Sequence, residues 1–467
     1  MVFSSIPFMF FLLAVFLPVY SAVPAKAKNV VLLVFSLIFY AWGEPVYIAL
    51  MIIETFSDYM VGRLMNRAEG KKRKLLLTWS VVFDLSVLGF FKYADFLTGT
   101  LNAIFKLDIK KLELALPVGI SFFTFQSLSY VIDLYKREVE SEKSYFNYLT
   151  YVSMFPQLVA GPIVRYSTVS SEIKDRRVSF DDFCAGFMRF LRGLFKKVLV
   201  ANQAGQIFDS ISGGITSASV PAAWLGALAF TFQIYFDFSG YSDMAIGLGR
   251  MLGFHFDENF RHPLAAKSIT EFWRRWHISL SSWFRSYVYI PLGGNRVSWI
   301  KNIRNIMLVW FLTGLWHGAS WNFVIWGLYY GIILILEKKV YGKNIDKWPA
   351  LIGHLYTLII VSTGFVIFAI TDFSELIVYL KTMIGLGSGA VLSKDVLWYL
   401  SNNAFILGVC LIFSFPVYEF CKKKISGNRA AGKITAVLAP VVYIALFILA
   451  VAGIVNDSYN PFLYFRF

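Results

Sequence analysis

Histidine is the side chain best suited to acid–base chemistry near neutral pH, and two of the five histidines lie in one stretch of this chain. His317 follows the apolar run 303–316 and stands between Gly314 and Gly318. Glycines on both sides of a histidine at membrane depth predict an interrupted helix, which is tolerated only where it is buried in protein or lines a wet cavity. An ionisable group at that depth is costly, so His317 is either a functional residue or a histidine whose hydrogen bonds are satisfied within the core. Burial in an apolar site would keep the imidazole neutral, as a base that deprotonates a hydroxyl requires.

The second histidine, His277, lies in a segment with the spacing of an amphipathic helix. Apolar residues recur there at Trp273, Trp276, Leu280, Phe284 and Tyr287. The segment is too charged to cross a bilayer, which predicts a helix at the membrane surface with His277 at the edge of its apolar face, beside Arg274 and Arg285. Pro291 and the glycines that follow it are expected to end this helix. An interfacial histidine that faces lipid headgroups is the alternative to a functional one.

The elements that must position these histidines are membrane helices. Of the 467 residues, 57% are hydrophobic and only 16% are charged, and the mean hydropathy is +0.60. Apolar segments of roughly 20 residues, long enough to cross a bilayer, recur from end to end. The sequence therefore predicts an all-α polytopic membrane protein, with a single membrane domain over residues 1–467 and an aromatic tail at 456–467. No internal repeat is detectable.

The apolar segments and the charges between them predict a topology. The predicted spans are 3–20, 30–42, 46–64, 75–91, 114–134, 222–252, 303–316, 321–336, 351–370, 397–420 and 434–455. Between 146 and 208, prolines, glycines and charges interrupt the apolar pieces, so re-entrant or interfacial pieces are as consistent with the pattern as clean spans. Lys and Arg concentrate in short loops, above all in the cationic loop at 67–74, which is the positive-inside pattern. This pattern, and not nucleic-acid binding, explains the net charge of +15, and it places the C-terminal tail outside.

The sequence lacks the residues that several classes of site and enzyme require. The cysteines Cys184, Cys410 and Cys421 are an odd number at scattered positions, so neither a disulfide framework nor a zinc site is expected, and no metal is predicted. A nucleophile elbow, an HExxH motif and a glycine-rich phosphate loop are absent from the sequence. Hydrolase, metalloprotease and ATP-driven transport are therefore disfavoured.

Polar residues inside the apolar segments have two interpretations. Asp237 and Asp243 fit hydrogen-bond acceptors that hold neighbouring arginines or helix ends inside the bundle. Asn322, close to His317 in sequence, would support the site. The alternative is a secondary transporter or export channel in which Asp237, Asp243 and His317 form a proton or substrate path. Transporters of that kind usually show paired halves, and the lack of a repeat favours the first interpretation.

The stretch around the two histidines resembles the membrane-bound O-acyltransferase family. The motifs that carry the resemblance are WRRWHISLSSWF, YIPLGGNR, LTGLWHGASW, FPQLVAGPIVR, FDFSGYSDMAIGLGRMLGF, ENFRHP and NPFLYFRF. As a set they are similar to the branch that contains the membrane subunit of bacterial alginate O-acetylation. The resemblance implies a multi-pass protein of the bacterial inner membrane, with helices around a central funnel. It also implies transfer of an acetyl group from cytoplasmic acetyl-CoA for O-acetylation of an extracytoplasmic polysaccharide.

The resemblance assigns roles to residues and partners. In the family the histidine of the GLWHG motif is catalytic, which implies that His317 is the base, and His277 matches a second functional position. The family also implies an extracytoplasmic partner of the SGNH or serine-hydrolase-like type that completes the transfer. A related D-alanyl transferase of teichoic acid shares the histidine motif but uses a carrier-protein thioester. A carrier-protein donor therefore remains an alternative to coenzyme A.

Four basic residues lie near His277 on the side predicted to be cytoplasmic, namely Lys267, Arg274, Arg275 and Arg285. One interpretation is that they follow the positive-inside rule and contact lipid phosphates. The other is that they hold the phosphates of coenzyme A, for which guanidinium groups are well suited.

The C-terminal tail, residues 460–467, is rich in aromatic residues that are typical of an interfacial belt. Tyr464 nevertheless carries a hydroxyl on the side predicted to be outside. Such a hydroxyl could accept the acyl group as an aryl ester and carry it to a second enzyme. Related envelope-acylation systems, which have a C-terminal aromatic motif with a relay tyrosine, imply the same role. Both interpretations of the tail stay open.

Overall fold

The computed structural model describes residues 2–159, 161–426, 429–456 and 462–463. This part of the chain is built from helices and contains no β-strand. The prediction of an all-α fold is thereby confirmed.

The first half of the chain holds ten α-helices within the described residues. They are α1 (Leu13–Ala22), α2 (Lys28–Ala41), α3 (Ile48–Met65), α4 (Gly70–Phe105), α5 (Ile120–Lys136), α6 (Tyr145–Ser153), α7 (Phe155–Leu158), α8 (Tyr166–Lys174), α9 (Phe180–Phe195) and α10 (Asn202–Gly213). Helices α6 to α8 are too short to cross a bilayer, in agreement with the interrupted pieces expected after residue 146.

The second half holds ten more in the part that the structure describes. They are α11 (Val220–Met251), α12 (Ile269–Arg275), α13 (Ile278–Phe284), α14 (Trp299–His317), α15 (Trp321–Leu336), α16 (Ala350–Ala369), α17 (Phe373–Met383), α18 (Asp395–Phe413), α19 (Val417–Ser426) and α20 (Arg429–Asn456). Short π-helical and 3-10 segments adjoin them at Pro7–Leu12, Ala25–Ala27, Lys196–Ala201, Pro263–Ala265, Arg285–Tyr289, Glu337–Tyr341 and Gly342–Lys347.

Four of the described helices are long and apolar enough to cross a membrane by length and composition. They are Gly70–Phe105, Ala350–Ala369, Asp395–Phe413 and Ile434–Asn456. Large apolar side chains cover much of their outer surface, for example Phe405 and Leu397, which fits a surface that faces lipid. The chain is a multi-pass membrane protein.

Helix α11 is the centre of the bundle, and glycines let α9 approach it closely. Gly186 of α9 faces Gly247 of α11, and a Cβ atom added to either residue would lie 2.6 Å from the carbonyl oxygen of the other. One heptad away, Gly193 and Gly240 form a second pair of the same kind. Small residues allow such close backbone contact between helices in a membrane. Two of the glycines in the motif FDFSGYSDMAIGLGRMLGF therefore have a packing role.

Four boundaries differ from the sequence predictions. The cationic residues at 71–74 are not in a loop, because α4 begins at Gly70 and carries them in its first turn. The same helix runs on to Phe105, well beyond the predicted end of the span at residue 91. Helix α5 begins at Ile120, after the predicted start of its span at residue 114. The predicted span 397–420 is interrupted at 414–416, where Pro416 separates α18 from α19.

Candidate active site

A cavity of about 910 Å³ brings the two histidines of the sequence analysis together. His277 and His317 both line it, although 40 residues separate them in the chain. Its walls come from α12, α13, α14 and the end of α15. A volume of this size is in the range of ligand sites.

His317 is the last residue of α14, at the tip of a helical hairpin formed by α14 and α15. Two glycines fix the hairpin, since a Cβ atom on Gly314 would collide with the Phe323 carbonyl and Gly327 packs in the same way against Trp310. Gly318 is extended, which ends the helix directly after the histidine. The interruption predicted at this point is confirmed.

The His317 ring is enclosed by aromatic side chains and is only 6% exposed. Its centroid lies 4.9 Å from that of Trp326 and 5.3 Å from that of Phe368, with the rings nearly perpendicular. Such edge-to-face contacts hold a ring in one orientation. The aromatic rings around His317 therefore hold its imidazole in a fixed orientation at the cavity.

The local structure at His277 contradicts the predicted continuous surface helix. Helix α12 ends at Arg275 and α13 begins at Ile278, and His277 between them has a left-handed backbone with φ of +42°. The break turns the side chain inward, so that His277 is 1% exposed. The prediction that His277 lies at the edge of a surface helix is wrong. Apolar periodicity continues across the break and does not reveal it.

Backbone contacts from a distant loop impose this break. The Asn259 carbonyl accepts a hydrogen bond from the Ile278 N–H at 3.0 Å, and the Arg275 carbonyl accepts one from the Arg261 N–H at 2.9 Å. Groups that a continuous helix would have paired internally thus bind the segment 259–261. Ser268 caps the start of α12 by accepting from the Glu271 N–H at 3.1 Å.

Asn259 also fixes the tautomer of His277. The Asn259 Oδ1 accepts from the N–H of Ser279 at 3.2 Å and from its hydroxyl at 2.9 Å, so this atom is the amide oxygen. The Nδ1 of His277 lies 3.2 Å from that oxygen and must carry a proton to bond to it. The proton on Nδ1 leaves a lone pair on Nε2, which has no hydrogen-bond partner among the described residues. The tautomer is suited to accepting a proton from a bound molecule.

A tryptophan lies between the two histidines. The Trp316 ring centroid is 5.9 Å from that of His277 and 5.1 Å from that of His317. Phe238 of α11 packs edge-to-face on His277 at 4.7 Å. The two imidazoles thus belong to one aromatic cluster at the wall of the cavity.

Three of the four basic residues singled out from the sequence line the same cavity. These are Lys267, Arg274 and Arg285, and Lys338 from the π-helical segment Glu337–Tyr341 after α15 joins them. Of the two acidic residues in the lining, Glu337 accepts from the N–H groups of Ile269 and Thr270 at 2.6 and 2.7 Å. The other, Glu271, is bonded to Arg275 and to the Lys267 N–H. The lining therefore carries an excess of positive charge.

Arg275 is the exception among the four. It pairs with Glu271 at 2.5 Å and donates to the His262 carbonyl at 3.5 Å, and it does not line the cavity. Its described contacts are those of a structural residue within the segment 262–275.

The two aspartates lie outside the cavity, in polar contacts of α11. Asp243 accepts from Arg189 at 2.9 Å and from Lys196 at 2.7 Å, which is the acceptor role expected for it. Arg189 also binds Glu258 at 2.6 Å, and so ties α9 and α11 to the loop that presents Asn259. Asp237 pairs with Lys197 at 2.5 Å.

Asn322 is buried but does not reach the cavity. Its Nδ2 donates to the carbonyls of Ile367 and Phe368 at 3.3 and 3.1 Å. It therefore joins the start of α15 to the end of α16, where Phe368 packs on His317. Its contribution to the site is indirect.

Two residues of the C-terminal tail reach the interior beside the cavity. The N–H of Leu463 donates to the Asp237 carboxylate at 2.8 Å, and the Phe462 ring packs on Tyr241 and Phe238 at 4.7 and 5.5 Å. Phe238 is the ring that contacts His277. Tyr464, which follows directly in sequence, lies outside the described residues.

Asn259, Ser279 and Lys338 belong to the site but were not predicted from the sequence. Asn259 falls within the motif ENFRHP and Ser279 within the motif around His277. The motifs therefore included these residues but did not show which of their side chains face the site. Among the described residues, no cluster of three or more His, Cys, Asp or Glu side chains could hold a metal ion.

Known proteins are similar to this chain in sequence over most of its length. The sequence model of the membrane-bound O-acyltransferase family matches residues 74–382. The probable alginate O-acetylase of Azotobacter vinelandii is 37% identical, with all of both chains covered. The peptidoglycan O-acetyltransferase of Helicobacter pylori is 35% identical over 87% of this chain and 85% of that protein. The teichoic acid D-alanyltransferase of Bacillus subtilis is 28% identical over 54% of this chain and 68% of its own.

The resemblance in the sequence motifs, the helical membrane fold and these matches agree. The match of the family model covers more than half of the chain and includes both histidines. The chain is an O-acyltransferase, and it belongs to the membrane-bound O-acyltransferase family.

Proposed function

We propose that this protein moves an acetyl group from cytoplasmic acetyl-CoA across the inner membrane of a bacterium, for O-acetylation of an extracytoplasmic polysaccharide. The observation that carries the proposal is one cavity lined by His277, His317 and four cationic side chains. The acetyl group and the polysaccharide are supported by two relatives, which are named for acetylation of alginate and of peptidoglycan.

In the proposed reaction His317 is the base. It removes the proton from an attacking hydroxyl, whose oxygen forms an ester bond with the thioester carbonyl carbon. The carbon–sulfur bond then breaks, and the proton held on His317 passes to the thiolate, so that coenzyme A leaves as the free thiol. His277 supports the donor side, where the lone pair on Nε2 can accept a hydrogen bond from the donor or from the hydroxyl.

The cationic residues Lys267, Arg274, Arg285 and Lys338 would hold the phosphates of the donor. Guanidinium and ammonium groups bind phosphate oxygens through charge-assisted hydrogen bonds. They line the same cavity as the histidines, so one bound donor could place its phosphates at the cations and its thioester at the histidines. A carrier-protein thioester is the second candidate donor, because a teichoic acid D-alanyltransferase is also a relative.

Tyr464 would receive the acetyl group and pass it outward to an SGNH or serine-hydrolase-like enzyme. The support for this step is the position of the two residues before it, since Phe462 is separated from His277 by a single ring, that of Phe238. The tyrosine hydroxyl would attack the thioester with His317 as base, forming an aryl ester. The partner enzyme would then transfer the acetyl group to the polysaccharide.

The test is transfer of label from acetyl-CoA, radiolabelled in its acetyl group, to the purified protein. Wild type is compared with His317→Ala and Tyr464→Phe, and with Tyr59→Phe as a control for loss of a tyrosine hydroxyl elsewhere. We expect label on wild type and on the control and none on the other two. Label that persists in Tyr464→Phe would refute the relay. Absence of label on wild type, with label from an acylated carrier protein, would replace coenzyme A by the carrier, and no label from either donor would favour the transporter.

A further inference from the structure

Two consecutive residues of α4 contact the end of the helix that carries His317. The Tyr93 hydroxyl donates to the Leu315 carbonyl at 2.7 Å. The Lys92 ammonium donates to the Trp316 carbonyl and, at 3.0 Å, to the hydroxyl of Ser121 in α5. Residues more than 220 positions away in sequence thus bind the two residues that directly precede the histidine.

These contacts supply hydrogen-bond donors to carbonyls at the end of α14. The last four carbonyls of an α-helix have no partner within the helix, and inside a membrane water does not supply one. Gly318 donates to the Gly314 carbonyl at 3.4 Å, which is the last regular bond of α14. The carbonyls of Leu315 and Trp316 come next and are satisfied by α4. A cation at a helix C-terminus is also favoured by the helix dipole.

The same lysine contacts the ring that separates the two histidines. The Lys92 ammonium lies 5.8 Å from the centroid of Trp316, within the range of a cation–π contact. Lys92 therefore holds Trp316 by its carbonyl and by its ring, and that ring packs on His277 and His317. Neither Lys92 nor Tyr93 lines the cavity. Their effect on the reaction is therefore indirect, and the contact that both residues share is the end of α14.

We propose that Lys92 and Tyr93 are positioning residues for acyl transfer, which hold the end of α14 so that His317 and Trp316 face the bound thioester. The proposal rests on the proposed role of His317 as base. A lysine inside a membrane helix is costly and calls for a role, and the described contacts of Lys92 are all directed to this helix end, the Ser121 hydroxyl and the Trp316 ring. A residue that only stabilised the fold would lower the amount of folded protein but not the turnover of each folded molecule.

The test follows labelling of the purified protein at a series of acetyl-CoA concentrations in Lys92→Met and Tyr93→Phe, with rates normalised to monodisperse protein. Here kcat is the rate constant of labelling at saturating acetyl-CoA, and KM is the acetyl-CoA concentration that gives half of that rate. Misplacement of a base by about 1 Å costs roughly 100-fold in rate. We expect kcat to fall about 100-fold in Lys92→Met and about tenfold in Tyr93→Phe, with KM for acetyl-CoA changed less than about twofold, since the donor is bound by other residues. Lys92→Arg, which keeps the cation, should recover part of the kcat.

Two matched controls separate positioning from stability. Lys74→Met removes an exposed lysine from the same helix. Tyr59→Phe removes a tyrosine hydroxyl that donates to the Lys143 carbonyl at 2.7 Å, away from the cavity. Both should keep the wild-type kcat. Tyr93→Phe deletes a single oxygen atom, so it still gives a result if Lys92→Met does not fold.

The outcomes distinguish this proposal from the one on which it rests. Wild-type kcat in folded Tyr93→Phe and Lys92→Met, together with inactive His317→Ala, would refute the positioning role and leave the base in place. An active His317→Ala would refute the base, and the positioning role with it. A rise in KM with unchanged kcat would also overturn the proposal, because it would place these residues in donor binding.

Discussion

The two histidines reach one cavity from regions built in opposite ways. His317 ends the 19-residue helix α14, and the break after it has a local cause in Gly314 and Gly318. His277 lies between two helices of seven residues each, and its position depends on hydrogen bonds from the distant Asn259. The first region is held by a regular hairpin, and the second by a network of single polar contacts.

This difference suggests that the two histidines have different roles, His317 as the base and His277 as a residue on the donor side. A base must approach the reacting hydroxyl with a fixed geometry, which a helix end packed between aromatic rings provides. A residue on the donor side can tolerate more adjustment, and His277 is set by one amide oxygen. Substitutions in the two regions should therefore differ in how much they lower the rate of acetyl transfer.

The largest effect is expected from the two histidines themselves. Loss of a general base costs roughly 10²- to 10⁴-fold in rate, so His317→Ala should lower acetyl transfer by about 10³-fold or more, and His277→Ala by about 10²-fold. The measurement is initial transfer of label from acetyl-CoA by purified protein. His255→Ala is the matched control, because His255 is exposed, pairs with Glu172 and does not line the cavity.

The relative size of the two rate losses tests which histidine is the base. A larger loss in His277→Ala than in His317→Ala would make His277 the base, a role that its free Nε2 lone pair allows. Equal losses would mean that the two residues act as one unit.

An intermediate effect is expected from Asn259→Ala. The substitution removes the oxygen that holds Nδ1–H of His277 and leaves two donors of Ser279 without it, which costs about 1–3 kcal/mol of stability. We expect the rate of acetyl transfer to fall roughly tenfold, because His277 then has two tautomers and a looser ring. The rate is measured alongside the midpoint of thermal unfolding.

Ser279→Ala is the comparison variant, since it removes a hydroxyl that donates to the same oxygen and lies 3.4 Å from Nδ1 of His277, but keeps the Asn259 oxygen that holds Nδ1–H. It should change the rate less than about threefold. Equal rates in Asn259→Ala and wild type would show that the tautomer of His277 is not limiting.

The sequence predicted those features of the site that have local causes. The break at His317 follows from adjacent glycines, and the membrane class follows from long apolar segments. The break at His277 could not be predicted from periodicity, because its cause is the backbone of Asn259, 18 positions earlier in the chain. The positive φ of a non-glycine residue also leaves no mark in the sequence.

The charged residues that line the cavity also could not be identified from local sequence. Arg274 and Arg275 are neighbours, and no sequence rule states which of the two faces the cavity. Lys338 lies between the predicted spans 321–336 and 351–370, yet it lines the cavity because the α14–α15 hairpin returns to the same side. The single membrane domain and the role of Tyr464 stay predictions.

The smallest effect is expected from the cations, and it should appear in binding. Arg285→Met removes a guanidinium from the cavity lining, and Arg275→Met removes one that pairs with Glu271 outside it. If the lining holds phosphates, KM for acetyl-CoA should rise about five- to tenfold in Arg285→Met with little change in kcat, because a contact to a remote phosphate stabilises ground state and transition state alike. Arg275→Met should leave KM within about twofold of wild type.

Ionic strength provides a second measurement on the same pair of variants. Salt screens contacts between charges, so KM of wild type should rise with added salt, and the rise should be weaker in Arg285→Met than in Arg275→Met. A KM that is equal in the two variants at every salt concentration would place Arg285 with the residues that serve membrane topology, and the donor phosphates would then have to be bound elsewhere. The neighbouring positions 274 and 275 allow the same comparison within a single turn of α12, where Arg274 faces the cavity and Arg275 does not.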